Sequence, residues 1–121
     1  MSIWNVMIDC LDFLIKKNQY EKEDIDLRLF RMIWEHKKIM CDRIRLLSQY
    51  VFFDEKILRE LIEIEQHAYT AFQLIFKYTI DKKHSFALLL KVKKIYEELL
   101  SKEKELYPEI ISIYKKRVDW L

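Results

Sequence analysis

The feature that most restricts the fold of this chain is a missing residue type: its 121 residues include no glycine. Glycine most readily adopts positive φ and lets a ligand approach the backbone closely. Without it, a chain cannot form a glycine-rich phosphate loop, a dinucleotide-binding turn or a nucleophile elbow. The tight primed turns of β-hairpins are disfavoured as well. The sequence therefore favours helices and excludes several large enzyme classes.

The apolar residues recur with a helical period from end to end. They predict a helix over about 3–17, a second from the acidic run 21–26 to about 49, and a third over about 55–79. Asp54 is the expected N-cap of the third helix, with Phe53 and Leu58 as its hydrophobic staple.

The last part of the chain has two possible boundaries for its helices. Asp81 or Ser85 could cap a fourth helix, and Pro108 could start a fifth helix or kink one long helix. The connections are short, so successive helices should pack antiparallel. The predicted fold is a single all-α domain over 1–121, an up-and-down antiparallel bundle of four helices plus a C-terminal fifth helix or proline-kinked extension.

The charge and cysteine content indicate which binding partners and which cellular compartment to expect. Lys and Arg total 22 against 20 Asp and Glu, and no segment concentrates positive charge, which disfavours nucleic acid as a partner.

Cys10 and Cys41 match no metal-ligand spacing and are expected to be free thiols in a reducing compartment. No segment has the ~20 apolar residues of a membrane span. We expect a cytoplasmic protein without membrane association, in the host cytoplasm if the source is viral; the composition is typical of a small viral or archaeal accessory protein.

Four polar residues fall on the predicted apolar stripes: His36, Arg43, Glu65 and Glu103. Antiparallel packing would bring them to similar levels, with Arg43 paired to Glu103 or Glu65. Such a cluster could be a buried network that fixes helix register. It could instead face solvent, or form a metal or acid–base site. These three interpretations remain open.

Two short segments resemble parts of known helical families. Arg31 to His36 is similar to the Arg-x4-His signature of HEPN-type ribonucleases, a resemblance that implies joint action of this arginine and histidine on RNA. On one helix these two residues lie about 140° apart. The segment from Glu98 to Pro108 resembles the helix-ending segment of hemerythrin-like domains. Glu98 and Lys102 replace that family's ligand histidine and glutamate, so the resemblance implies only a helix end.

A second apolar line on the second helix consists of Phe30, Trp34 and Cys41, and Phe13 and Trp120 also lie off the main stripes. Either the second helix is central and buries both lines, or these residues form an exposed interface patch. The function predicted is therefore that of a small, non-enzymatic bundle without a cofactor. It would act by protein–protein interaction, as a homodimer or with another protein. The alternative is a HEPN-like ribonuclease or metal-dependent enzyme that uses His36 with Arg31, or with Glu65 and Glu103.

Overall fold

A computed structural model describes residues 3–18, 27–80 and 86–119. Over these residues the chain is all-helical and its helices pack against one another. The helices are α1 (Ile3–Asn18), α2 (Leu27–Leu47), α3 (Glu55–Ile80) and α4 (Phe86–Asp119). The predicted acidic start of the second helix at 21–26 and the predicted caps Asp81 and Ser85 lie outside the described residues.

Helix α3 packs against both α2 and α4, and α4 also packs against α1. The Trp34 indole of α2 donates a hydrogen bond to Glu65 of α3, and Lys102 of α4 forms an ion pair with Glu63. In each pair the two residues lie at similar distances from the connection between their helices, so consecutive helices from α2 to α4 run antiparallel. Helices α2 and α4 consequently run parallel.

The turn between α2 and α3 is closed by backbone hydrogen bonds, including those from Tyr50 and Val51 to the carbonyl of Leu47. Asp54 Oδ1 then accepts a hydrogen bond from the backbone N–H of Lys56 at 3.3 Å. This contact confirms Asp54 as the N-cap, because a capping side chain satisfies an N–H that has no partner inside the helix. The predicted staple residues, Phe53 and Leu58, are buried and half-buried respectively.

Of the two alternatives for Pro108, the separate fifth helix was wrong, because α4 continues through Pro108 as one helix of 34 residues, and the alternative of one long helix is the one found. Proline removes one backbone hydrogen bond. The apolar face nevertheless continues beyond it, since Leu106 is buried and Ile110 and Ile113 pack against the core. The helix end implied by the segment from Glu98 to Pro108 is likewise absent from the structure, because that whole segment lies within α4.

One core joins all four helices, and α3 contributes its two small members, Ala68 and Ala71. The cysteines are free thiols, half-buried at Cys10 and buried at Cys41. Burial raises the pKa of both thiols, and it outweighs the opposing influence of Arg45 on Cys41. No helix in the described ranges is both long and apolar enough to span a bilayer.

Candidate functional sites on α2

A buried ion pair joins α2 to α4. Lys37 Nζ lies 2.7 Å from Glu103 Oε1, and the two side chains are only 4% and 6% exposed. Lys37 falls on the same side of α2 as the buried residues Phe30, Ile33 and Cys41. Water cannot solvate these charges because they are buried, and at this distance each one compensates the charge of the other. The pair therefore belongs to the core of the molecule.

Tyr107, one turn after Glu103, completes the cluster. Its hydroxyl donates a hydrogen bond to Glu103 Oε1 at 2.6 Å and accepts one from Lys37 Nζ at 3.2 Å. Burial raises the pKa of Tyr107 far above its usual range, with the hydrogen bond to Glu103 and that residue's charge acting in the same direction. The phenol therefore keeps its proton and remains a donor. We call Lys37, Glu103 and Tyr107 the buried trio.

The buried trio forms part of the wall of a groove between α2 and α4, of about 440 Å³. The groove is lined by His36, Lys37, Met40, Leu100, Glu103, Lys104, Tyr107 and Pro108. Most of this lining is aliphatic or aromatic. Both charged groups of the trio already have a partner of opposite charge within the protein, and so the groove does not present a bare carboxylate.

The structure separates the four residues of the predicted polar cluster. Glu103 is buried, but its ionic partner is Lys37 rather than Arg43. Glu65 is half-buried and accepts the Trp34 hydrogen bond at 3.0 Å. His36 and Arg43 are exposed, and of these two only His36 lines the groove with Glu103. Among the residues that the structure describes, no group of three or more His, Cys, Asp or Glu side chains is placed to hold a metal ion.

Sequence reasoning missed two members of the buried trio, Lys37 and Tyr107. The pair Lys37–Lys38 resembles a solvated face, and the signal that could have found Lys37 is its spacing. Lys37 follows Phe30 and Ile33 by seven and four residues and precedes Cys41 by four, which places all of them on one side of a helix.

The α2 residues of the predicted interface patch belong mostly to the core. Phe30 is buried and stacks with Tyr96 at a centroid distance of 6.3 Å, and Cys41 is buried as well. Trp34 is half-buried, with ring centroids 4.7 Å from Tyr69 and 6.1 Å from Phe72 of α3. Helix α2 therefore buries this second line, because it packs against α3 and meets α4 through long side chains. Of the remaining two residues, Phe13 is 60% exposed and Trp120 lies outside the described residues.

The arginine and histidine of the ribonuclease-like motif are both exposed. Arg31 Nε lies 2.9 Å from Glu35 Oε1, one turn along the same helix. This contact ties the guanidinium to a carboxylate of its own helix. The structure therefore gives Arg31 a local partner other than His36.

A different set of residues forms an exposed apolar line on α2. Met32, Ile39 and Leu46 follow one another at intervals of seven residues and are 53%, 50% and 59% exposed. They lie opposite the buried side of the helix. Exposed Glu35 and Asp42 flank the line on one side, and exposed His36 and Arg43 flank it on the other. We call these seven residues the outer face of α2.

No protein-family model, curated protein or solved structure matches this chain. Its function is therefore inferred from the arrangement of its own side chains.

Proposed function

We propose that this chain is a non-enzymatic helical bundle that acts by protein–protein interaction, and that it binds a second copy of itself through the outer face of α2. The observation that carries this proposal is the exposed line of Met32, Ile39 and Leu46. Apolar residues scattered singly over a surface need no explanation, whereas these three recur every two turns, about 10 Å apart, on one side of α2 and are rimmed by polar residues, as interaction sites are.

Further apolar side chains are exposed near both ends of this line. Leu29 is partly exposed near the start of α2, and the turn after α2 exposes 72% of Tyr50 and 86% of Phe52. Aromatic residues and methionine are enriched in interfaces. A partner that covered the outer face of α2 and the adjoining turn would thus remove several large side chains from water.

The charges favour a second copy as the occupant. An interface between identical subunits related by a twofold axis must be complementary to itself. The outer face of α2 carries acids and bases on the same surface, Asp42 and Arg43 being the clearest pair. A strongly acidic or basic partner would be attracted by one side of this face and repelled by the other.

Three of the four side chains on which the enzymatic alternatives depend already have partners within the protein, and the fourth, His36, is exposed. Glu65 accepts the hydrogen bond of Trp34. Arg31 is paired with Glu35, and Glu103 is bound by Lys37 and Tyr107. Catalysis by these groups would require breaking those contacts first. This pairing supports binding as the role of the chain.

Analytical ultracentrifugation over a range of concentrations tests the proposal. We expect the wild type to form dimers as concentration rises, and Ile39→Glu to raise the dissociation constant by at least about tenfold, because a carboxylate would be buried at the centre of the interface. Leu90→Glu is the matched control, since Leu90 is 54% exposed but lies on α4. The control should dimerise like the wild type, and circular dichroism should show that both variants remain helical.

Two results would overturn the proposal. One is a wild type that stays monomeric up to millimolar concentration. The other is a dimer that Ile39→Glu leaves intact, which would place the contact elsewhere on the molecule.

A further inference from the structure

The charges on the outer face of α2 are sorted by sign. With Ile39 as the reference, Glu35 and Asp42 lie about 40–60° to one side, and His36 and Arg43 lie about 40–60° to the other. All four side chains are exposed. We call the first pair the acidic side and the second pair the basic side.

The direction of the twofold axis decides which sides meet. If the axis runs along the helices, the two copies of α2 are parallel, and the acidic side of each copy faces the basic side of the other. If the axis is perpendicular to the plane of the two helices, the copies are antiparallel, and each side faces its own equivalent. Only the first arrangement pairs unlike charges, whereas the second sets Glu35 and Asp42 against the same acids of the other copy.

We infer that two copies associate with their α2 helices parallel, about a twofold axis that runs along them; this inference rests on the self-association proposed above. Ile39 then contacts the partner's Ile39 at the centre, with Met32 and Leu46 making equivalent contacts on either side. Asp42 pairs with the partner's Arg43, and Glu35 accepts a hydrogen bond from the partner's His36. The two turns that carry Phe52 lie at the same end of the dimer.

Two other arginines of α2 face this contact or lie near it. Arg28 lies on the acidic side two turns before Glu35 and only about 20° from Ile39, so parallel pairing brings the Arg28 side chains of the two copies towards each other at the start of α2. The unlike pairs further along the helix must outweigh this one like-charge contact. Arg31 holds Glu35 in an exposed pair one turn apart, a kind of contact that contributes little to stability. That contact is weak enough for Glu35 to exchange partners. The apolar line supplies most of the affinity, and the charges set the orientation.

Cysteine cross-linking distinguishes the two orientations. Leu46→Cys should form a disulfide-linked dimer under mild oxidation if α2 pairs in parallel, because equivalent residues then lie at the same level. A mixture of Met32→Cys and Leu46→Cys should cross-link to each other only if α2 pairs antiparallel. The two positions are about 21 Å apart along the helix, far more than the ~7 Å between Cα atoms that a disulfide tolerates. Ile39→Cys should cross-link in both cases, and the wild type gives the background from Cys10 and Cys41.

Charge exchange gives an independent readout. The variant Glu35→Lys/Asp42→Lys makes both sides basic and should weaken the parallel dimer by about tenfold or more at low salt. Adding His36→Glu and Arg43→Glu restores one acidic and one basic side, and should restore dimerisation. In an antiparallel dimer the double variant would only replace one like-charge contact by another, so its affinity would stay close to that of the wild type.

The outcomes separate this inference from the function on which it rests. A monomeric wild type overturns both. A dimer that Ile39→Glu dissociates, but in which Met32→Cys cross-links to Leu46→Cys, overturns the parallel arrangement alone. Leu46→Cys homodimers together with recovery in the fourfold variant establish it.

Discussion

At the scale of single residues, the decisive feature is that two charges in the core neutralise each other. Neither Lys37 nor Glu103 could be buried alone, because an isolated ion in the interior loses its hydration without compensation. Their 2.7 Å contact and the Tyr107 hydroxyl supply that compensation. The helical period of α4 was enough to place Glu103 on an apolar stripe, whereas the identity of its partner depends on how α2 is rotated.

Removing one member of the pair should cost far more stability than removing both. We expect Glu103→Gln to lower the free energy of unfolding by about 3 kcal/mol, because it leaves the Lys37 ammonium buried without a counter-charge. The double variant Lys37→Met/Glu103→Leu should recover most of that loss, because both side chains then suit an apolar environment. Urea denaturation followed by circular dichroism measures both changes.

The ion pair of Lys102 with Glu63 is the matched control, since it also joins α4 to another helix but is 38% and 53% exposed. Glu63→Gln should change the free energy of unfolding by less than about 1 kcal/mol. Equal effects of Glu103→Gln and Glu63→Gln would contradict the role assigned to the buried pair.

At the scale of helices, the existence of α1, α2 and α3 and the N-cap of α3 could be predicted from apolar period and capping chemistry. The rotation of α2 could not. Its sequence carries two apolar lines, one through Ile33 and Ile44 and the other through Phe30 and Cys41, and each is a plausible buried face. The buried face actually lies between them and includes Lys37, about 20–40° from the first line. This rotation exposes His36 and Arg43 and brings Lys37 to Glu103.

Pro108 could not be assigned from the sequence, because proline suits the first turn of a helix and also occurs within longer ones. In α4 the apolar contacts on both sides of it, Leu106 before and Ile110 after, hold the helix together.

The structure predicts that Pro108→Ala stabilises the protein. Alanine restores the N–H that can bond to the carbonyl of Lys104, and proline within a helix costs roughly 3 kcal/mol relative to alanine. We expect a gain of about 1–3 kcal/mol in the free energy of unfolding, with unchanged helix content by circular dichroism. A loss of stability would show that α4 needs the proline where it stands. Glu109→Ala, at the next exposed position, serves as the control and should have little effect.

At the scale of the whole molecule, buried and half-buried tyrosines on two helices make stability sensitive to high pH. Burial raises the pKa of Tyr78 on α3 and of Tyr96 and Tyr107 on α4. In the unfolded chain a tyrosine loses its proton near pH 10, whereas in the folded state these residues lose theirs only at higher pH. The unfolded state therefore binds fewer protons above that pH, and the stability contributed by these groups is present below pH 10 and lost as the pH rises past it.

We expect the free energy of unfolding to fall above about pH 10, with each such tyrosine adding at most about 1.4 kcal/mol per pH unit to the slope. Tyr96→Phe should make this fall less steep, whatever its effect on the free energy of unfolding at neutral pH. Tyr114→Phe is the control, since Tyr114 is 48% exposed. Denaturation at several pH values measures the slopes, and identical slopes for the wild type and Tyr96→Phe would contradict this account.

The buried trio also bears on how such a sequence can change over generations. A single substitution at position 37 or 103 leaves the other charge buried without a counter-charge, whereas substituting both together can leave stability unchanged. In diverging descendants of this chain, these two positions should therefore be inherited as a unit and covary with each other, while the neighbouring solvated lysines drift independently.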